Sequence, residues 1–90
     1  MEEILRITSR VTDVEECLIR SRIRFQEIGE ARRMFIYVCY KNGYTVGAIS
    51  SYLNGMTRQA VAYHIKTMKY HEKIYRSSAR SITEIENALH

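Results

Sequence analysis

Ninety residues, 46% of them apolar and 27% charged, suffice for one packed domain. They exclude two domains and a disordered chain. The longest apolar run, Met34 to Tyr40, falls far short of the roughly 18–20 residues that a membrane-spanning helix needs. The net charge of +4 is unevenly placed: residues 1–16 carry two basic and five acidic side chains, residues 17–76 eleven and three, and residues 77–90 one and two. A basic middle of that kind attracts polyanions.

In chain order, Ile4, Ile7, Val11, Val14 and Leu18 recur at steps of three and four, the period of a helix face. Thr12-Asp13-Val14-Glu15 has the form of a capping box. The expectation is therefore a first helix over Glu2–Arg10 and a second over Asp13–Ser21. Residues 20–30 have no helical face and read as a basic loop carrying Arg20, Arg22 and Arg24. A third helix is expected over Glu30–Lys41. Its middle is apolar all round, so it should be the buried centre of a bundle. Asn42-Gly43 supplies a glycine suited to the left-handed position that ends a helix.

Thr45 can cap a short fourth helix, Val46–Leu53, with Val46, Ile49 and Leu53 as its inward stripe. Asn54-Gly55 is the next turn. Thr57 can cap a fifth helix whose inward face is Val61, Ile65 and Met68. Ser77, Ser78 and Ser81 predict a soft break. Ser81-Ile82-Thr83-Glu84 repeats the capping-box form ahead of a last helix, Ile82–Leu89. The fold class is thus all-α, about six helices in a compact bundle. Cys17 and Cys39 read as small apolar core residues rather than a disulfide. The acidic opening Met1-Glu2-Glu3 shows no secretory signal, and a cytoplasmic location is the expectation.

The fourth and fifth helices, joined by a tight glycine turn, form a helix-turn-helix pattern. Gly47, Ala48, Ser50 and Ser51 are small enough for a second helix to cross closely. In such a motif the first residues of the second helix enter the major groove. Arg58 can pair with a guanine edge and Gln59 with an adenine edge, and Tyr63 follows one turn on. Thr57, Lys66 and Lys69 suit the phosphate backbone. Arg20, Arg22, Arg24, Arg32 and Arg33 are expected to approach flanking phosphates or the minor groove.

These residues carry a resemblance. The chain is similar over nearly its whole length to the C-terminal DNA-binding domain of the bacterial replication initiator DnaA. Val11 to Leu18 followed by the arginine loop stands where that family has a Val-x-x-x-x-Leu helix and basic loop. Gly29-Glu30-Ala31-Arg32-Arg33-Met34 stands where typical members have Ala-Arg-Pro-Arg-Gln-Met. Thr45 to Leu53 resembles Ser-Leu-x-x-Ile-Gly-x-x-Phe, and Asn54 to Val61 aligns with Gly-Gly-Arg-Asp-His-Thr-Thr-Val. The resemblance implies a Trp-repressor-like helix-turn-helix domain that binds double-stranded DNA in replication or transcription of a bacterial or mobile-element genome.

The departures are specific. Thr57-Arg58-Gln59-Ala60 replaces the family's base-reading Asp-His-Thr-Thr, so the usual box should not be recognised. Glu30 stands at the arginine that reaches the minor groove, leaving Arg24 or Arg32 to substitute. The sequence has no phosphate-binding Gly-x-x-x-x-Gly-Lys-Ser/Thr loop, so a free-standing domain of altered specificity is expected, not an initiator.

Other chemistries fit less well. Cys17, Cys39, His64 and His71 lack zinc-module spacing. The seven tyrosines come without the histidine pair or arginine set of a tyrosine-nucleophile enzyme. Tyr37, Tyr40 and Tyr44 read as core, Tyr52, Tyr63 and Tyr70 as more exposed. No catalysis, metal or cofactor is expected, and the partner is duplex DNA, with no membrane. The alternative is a helical protein-interaction adaptor that keeps the fold without the DNA contacts.

Overall fold

The apolar run in the middle of the chain becomes the axis of the molecule. A computed structural model describes the backbone of residues 1–23, 25–74 and 76–89, and the side chains of these apart from 72, 74 and 76–78. The described residues form six helices and no strand: α1 (Glu2–Thr12), α2 (Glu16–Arg20), α3 (Gln26–Lys41), α4 (Val46–Tyr52), α5 (Arg58–Ile74) and α6 (Arg76–Leu89). Helix α3 touches each of the other five. Its Phe35, Ile36, Val38 and Cys39 are wholly buried, as a helix apolar on all sides requires. Burial also pushes the Cys39 thiol up to about 12, which keeps it in the unreactive neutral form.

Local chemistry sets most of the boundaries. Asn42 and Gly43 close α3 through a Schellman motif: the Gly43 amide donates to the Tyr40 carbonyl and the Tyr44 amide to the Cys39 carbonyl, both at 3.1 Å. Gly43 takes a positive φ of 95°, which glycine adopts without steric cost. The Thr45 hydroxyl accepts the Ala48 amide at 3.1 Å and caps α4. Val61, Ile65 and Met68 turn inward along α5, and Ile82 and Ile85 do so along α6.

Neither expected capping box starts a helix. The Thr12 hydroxyl donates back to the Thr8 carbonyl at 2.7 Å. Helix α1 therefore runs through Thr12 and ends on Asp13, which adopts a left-handed conformation at φ 59°. Helix α2 follows as little more than one turn, beginning at Glu16. Ser81 to Glu84 lies inside α6, which is continuous from Arg76, so the serines break nothing. Helix α3 starts one turn earlier than its apolar pattern, at Gln26. Some side chains also depart from expectation. Tyr40 and Tyr44, read as core, are exposed, because they sit at the end of α3 and in the turn beyond it rather than on its buried middle. Cys17 is exposed. The Tyr52 ring is half-buried, 5.8 Å from that of Phe35.

Thr8 and Arg32 are the buried polar or charged residues among the described residues. Arg32 is 6% exposed. Its Nε donates to the Ile19 carbonyl at 2.8 Å, and Nη2 donates to the carbonyls of Leu18 and Ile23, each at 3.0 Å. A cation thus sits on the negative end of α2 and pins the loop that follows. Arg32→Ala removes the shared donor of three carbonyls and is expected to cost about 2–4 kcal/mol. In thermal unfolding followed by circular dichroism that corresponds to a Tm lowered by roughly 10 °C or more. A shift below about 2 °C would show that water replaces the guanidinium at no cost.

Candidate nucleic-acid interface

The turn between α4 and α5 is held from two sides. Gly55 takes a positive φ of 78°, and the Ser50 hydroxyl donates to the Met56 carbonyl at 2.6 Å. From the other side, the Asn54 amide donates to the Arg20 carbonyl at 3.2 Å. The Arg20 guanidinium donates to the Tyr52 carbonyl at 3.1 and 3.2 Å and lies 4.4 Å above the Tyr52 ring. Arg20 therefore closes the end of α4, by the same logic that places Arg32 on the end of α2. At the start of α5 the Thr57 hydroxyl accepts the Ala60 amide at 3.1 Å. Its own hydrogen remains available to a partner.

With its inward face committed to the core, α5 turns Arg58, Gln59, Tyr63, Lys66 and Lys69 outward, all exposed. Tyr63 is 66% exposed. The Arg58 guanidinium folds back onto α4: a side-chain carbon at Gly47 would stand only 3.2–3.3 Å from it. Gly47 is thus the position that admits Arg58. Further along, the Lys69 ammonium lies 5.2 Å from the centre of the Tyr40 ring.

Beside this face runs an open groove of about 1040 Å³. One wall is the loop after α2 and the first half of α3, with Arg22, Phe25, Gln26 and Arg33. The other is the α4–α5 turn and the start of α5, with Thr57, Gln59, Tyr63 and His64. None of the lining residues is acidic. Arg22 lies against Gly55, where an added side-chain carbon would come within 3.0 Å of its Cδ. Arg22 and Arg33, the exposed rings of Phe25 and Tyr63, and the amides of Gln26, Asn54 and Gln59 therefore share a surface with the positive end of the α5 dipole. Such a surface suits a polyanion that also offers hydrogen-bonding edges.

The residues singled out in the sequence divide accordingly. Arg22, Arg33, Thr57, Gln59 and Tyr63 come together around the groove. Arg58 occupies the side of the first α5 turn that meets α4, and Lys66 and Lys69 continue along the helix. Arg20 and Arg32, expected at phosphates, are instead bound to backbone carbonyls of their own chain; Arg32 also borders the groove but is only 6% exposed. Arg24 lies outside the described residues. Glu30 is exposed and does not line the groove. Phe25 and Gln26 were not foreseen. Nothing in a loop without periodicity distinguishes an outward phenylalanine from a core one.

His64 forms part of the groove lining, with Nδ1 buried and without a hydrogen-bond partner. Burial holds its pKa below the ordinary 6.5, and the charges of Arg33 and then Arg32 lower it further. No group of three or more metal-ligating side chains occurs among the described residues. No helix among them is long and apolar enough to cross a membrane. Comparison with models of known protein families and with curated proteins finds no match.

The depressed His64 pKa has a definite sign. The unfolded chain takes up its proton first as pH falls, so stability is fully present above 6.5 and declines below it. Between about pH 7.5 and about pH 5 the wild-type Tm is expected to drop further than that of His64→Gln. Equal drops would mean that His64 titrates alike in both states.

Proposed function

We propose that this domain binds double-stranded DNA, laying the N-terminal half of α5 in the major groove with α4 behind it. The observation that carries the reading is the acid-free groove beside the outward face of α5, where Arg22, Arg33, Gln59 and Tyr63 converge. Phosphates call for the cations and helix N-terminus, and base edges for the amides and the guanidinium. Arg58, Gln59 and Tyr63 read bases in this proposal. Thr57, Lys66, Lys69, Arg22 and Arg33 hold the backbone. Arg20 and Arg32 support the site from within. The resemblance to the DnaA C-terminal domain supports the same docking and suggests a role in replication or transcription. With Thr57 to Ala60 in place of that family's base-reading residues, the target sequence differs.

The test is selection from a random duplex pool, with affinities at about 50 mM and about 200 mM salt. Four cations on phosphates give a log–log slope of about −3.6, which is a loss of about 150-fold between those salts. Arg22→Ala and Arg33→Ala should each reduce the slope by about 1. Arg58→Ala should cost about 1–3 kcal/mol and relax one base position. Equal weakening on every sequence would move Arg58 from base to backbone. Absence of binding at either salt would sink the DNA reading and leave the protein-interaction adaptor.

A further inference from the structure

Each strand of a duplex has the major groove on one side and the minor groove on the other. With α5 in the major groove, a strand seated in the acid-free groove lies between α5 and the opposite wall. That opposite wall then faces the minor groove. It ends in Phe25, which is 74% exposed, more than any other large apolar side chain among the described residues. Ile23, two positions earlier, is 41% exposed. An outward aromatic and an outward aliphatic side chain on a basic loop add nothing to the core.

The base of this projection is held by hydrogen bonds. The Phe25 carbonyl accepts the first helical bond of α3 from the Gly29 amide at 2.8 Å, and the Ile23 carbonyl is held by Arg32. The ring is therefore exposed, while the Phe25 and Ile23 carbonyls are bonded to the rest of the fold. Glu27 and Glu30 line a separate hollow with Phe25 and take no part in the groove. Phe25 also lines the acid-free groove, so a strand seated there reaches it from the side away from these carboxylates. Apolar side chains offered to the minor groove on a fixed support unstack a base step and kink the helix.

We propose that Phe25 is a wedge that enters the minor groove next to the site held by α5 and bends the DNA there. The proposal rests on the major-groove reading of α5 and adds to it a deformation of the target. Sequence preference then arises at a flexible base step as well as at the edges α5 contacts.

Two measurements test it. The first is ligase-catalysed circularisation of a random-sequence duplex of about 100 bp, shorter than the persistence length of about 150 bp. Wild-type protein should raise the yield of circles on the order of tenfold, and Phe25→Ala should lose most of that gain. Because the Phe25 ring lies outside the core, the variant should keep the wild-type melting curve. Its duplex affinity should stay within about threefold. The second uses Phe25→Trp, which places a single reporter in a chain that has no tryptophan. Saturating duplex should quench its emission about twofold by stacking and shield it from acrylamide.

Bending by Phe25→Ala equal to wild type overturns the wedge. So does duplex binding that leaves the tryptophan emission and its acrylamide access unchanged. Either result leaves major-groove binding standing. Failure of the wild type to bind any duplex overturns both readings together.

Discussion

The buried guanidinium of Arg32 is the contact on which the geometry of this domain turns. One side chain from α3 bonds the carbonyls of Leu18 and Ile19 at the end of α2 and of Ile23 in the loop beyond. A helix as short as α2 has little cooperative stability of its own. It also leaves its last carbonyls without intrahelical partners. A cation at that end satisfies them and complements the dipole. Arg20, carried on the same short helix, does the same for α4 through the Tyr52 carbonyl. The order of dependence is thus α3 to α2, and α2 to the end of α4 and the turn that follows.

This internal use of arginine decides which charges remain for a partner. The middle of the chain is strongly basic by count, yet charge on a linear sequence does not say where a guanidinium points. Arg20 and Arg32 face backbone carbonyls. Arg22 and Arg33 face an open groove with no acidic wall. Arginine suits both uses because its planar fork bonds several oxygens at once, whether they belong to peptide or to phosphate.

Small residues matter at two points, and for different reasons. Gly55 supplies the positive φ that turns the chain from α4 into α5, with Arg22 packed against it. Gly47, inside α4, has ordinary helical geometry. What it provides is room for the Arg58 guanidinium to lie on the helix. Together they bring cations from both sides of the turn close to the first residues of α5 without opening the core beneath.

The helical class, the central helix, the Asn42-Gly43 stop and the Thr45 and Thr57 caps were legible in the sequence. Each rests on chemistry within one turn of the chain: periodic burial, a glycine free of Cβ, a hydroxyl reaching an amide three residues on. The capping boxes at Thr12 and Ser81 were legible too, but misleading. A threonine or serine hydroxyl can also bond back to the carbonyl four residues earlier, as Thr12 does, and only packing selects between the two.

The outward face of α5 followed from the inward positions of Val61, Ile65 and Met68. The opposite wall of the groove did not. Which arginines are buried, where Phe25 projects and what stands across from Gln59 all depend on contacts between residues well separated in the chain. Local pattern determined the helices and their polarity. Tertiary packing alone decided which of their charges became structure and which became surface, because a guanidinium binds a carbonyl of its own chain as readily as a partner's oxygen and goes to whichever the fold places within reach.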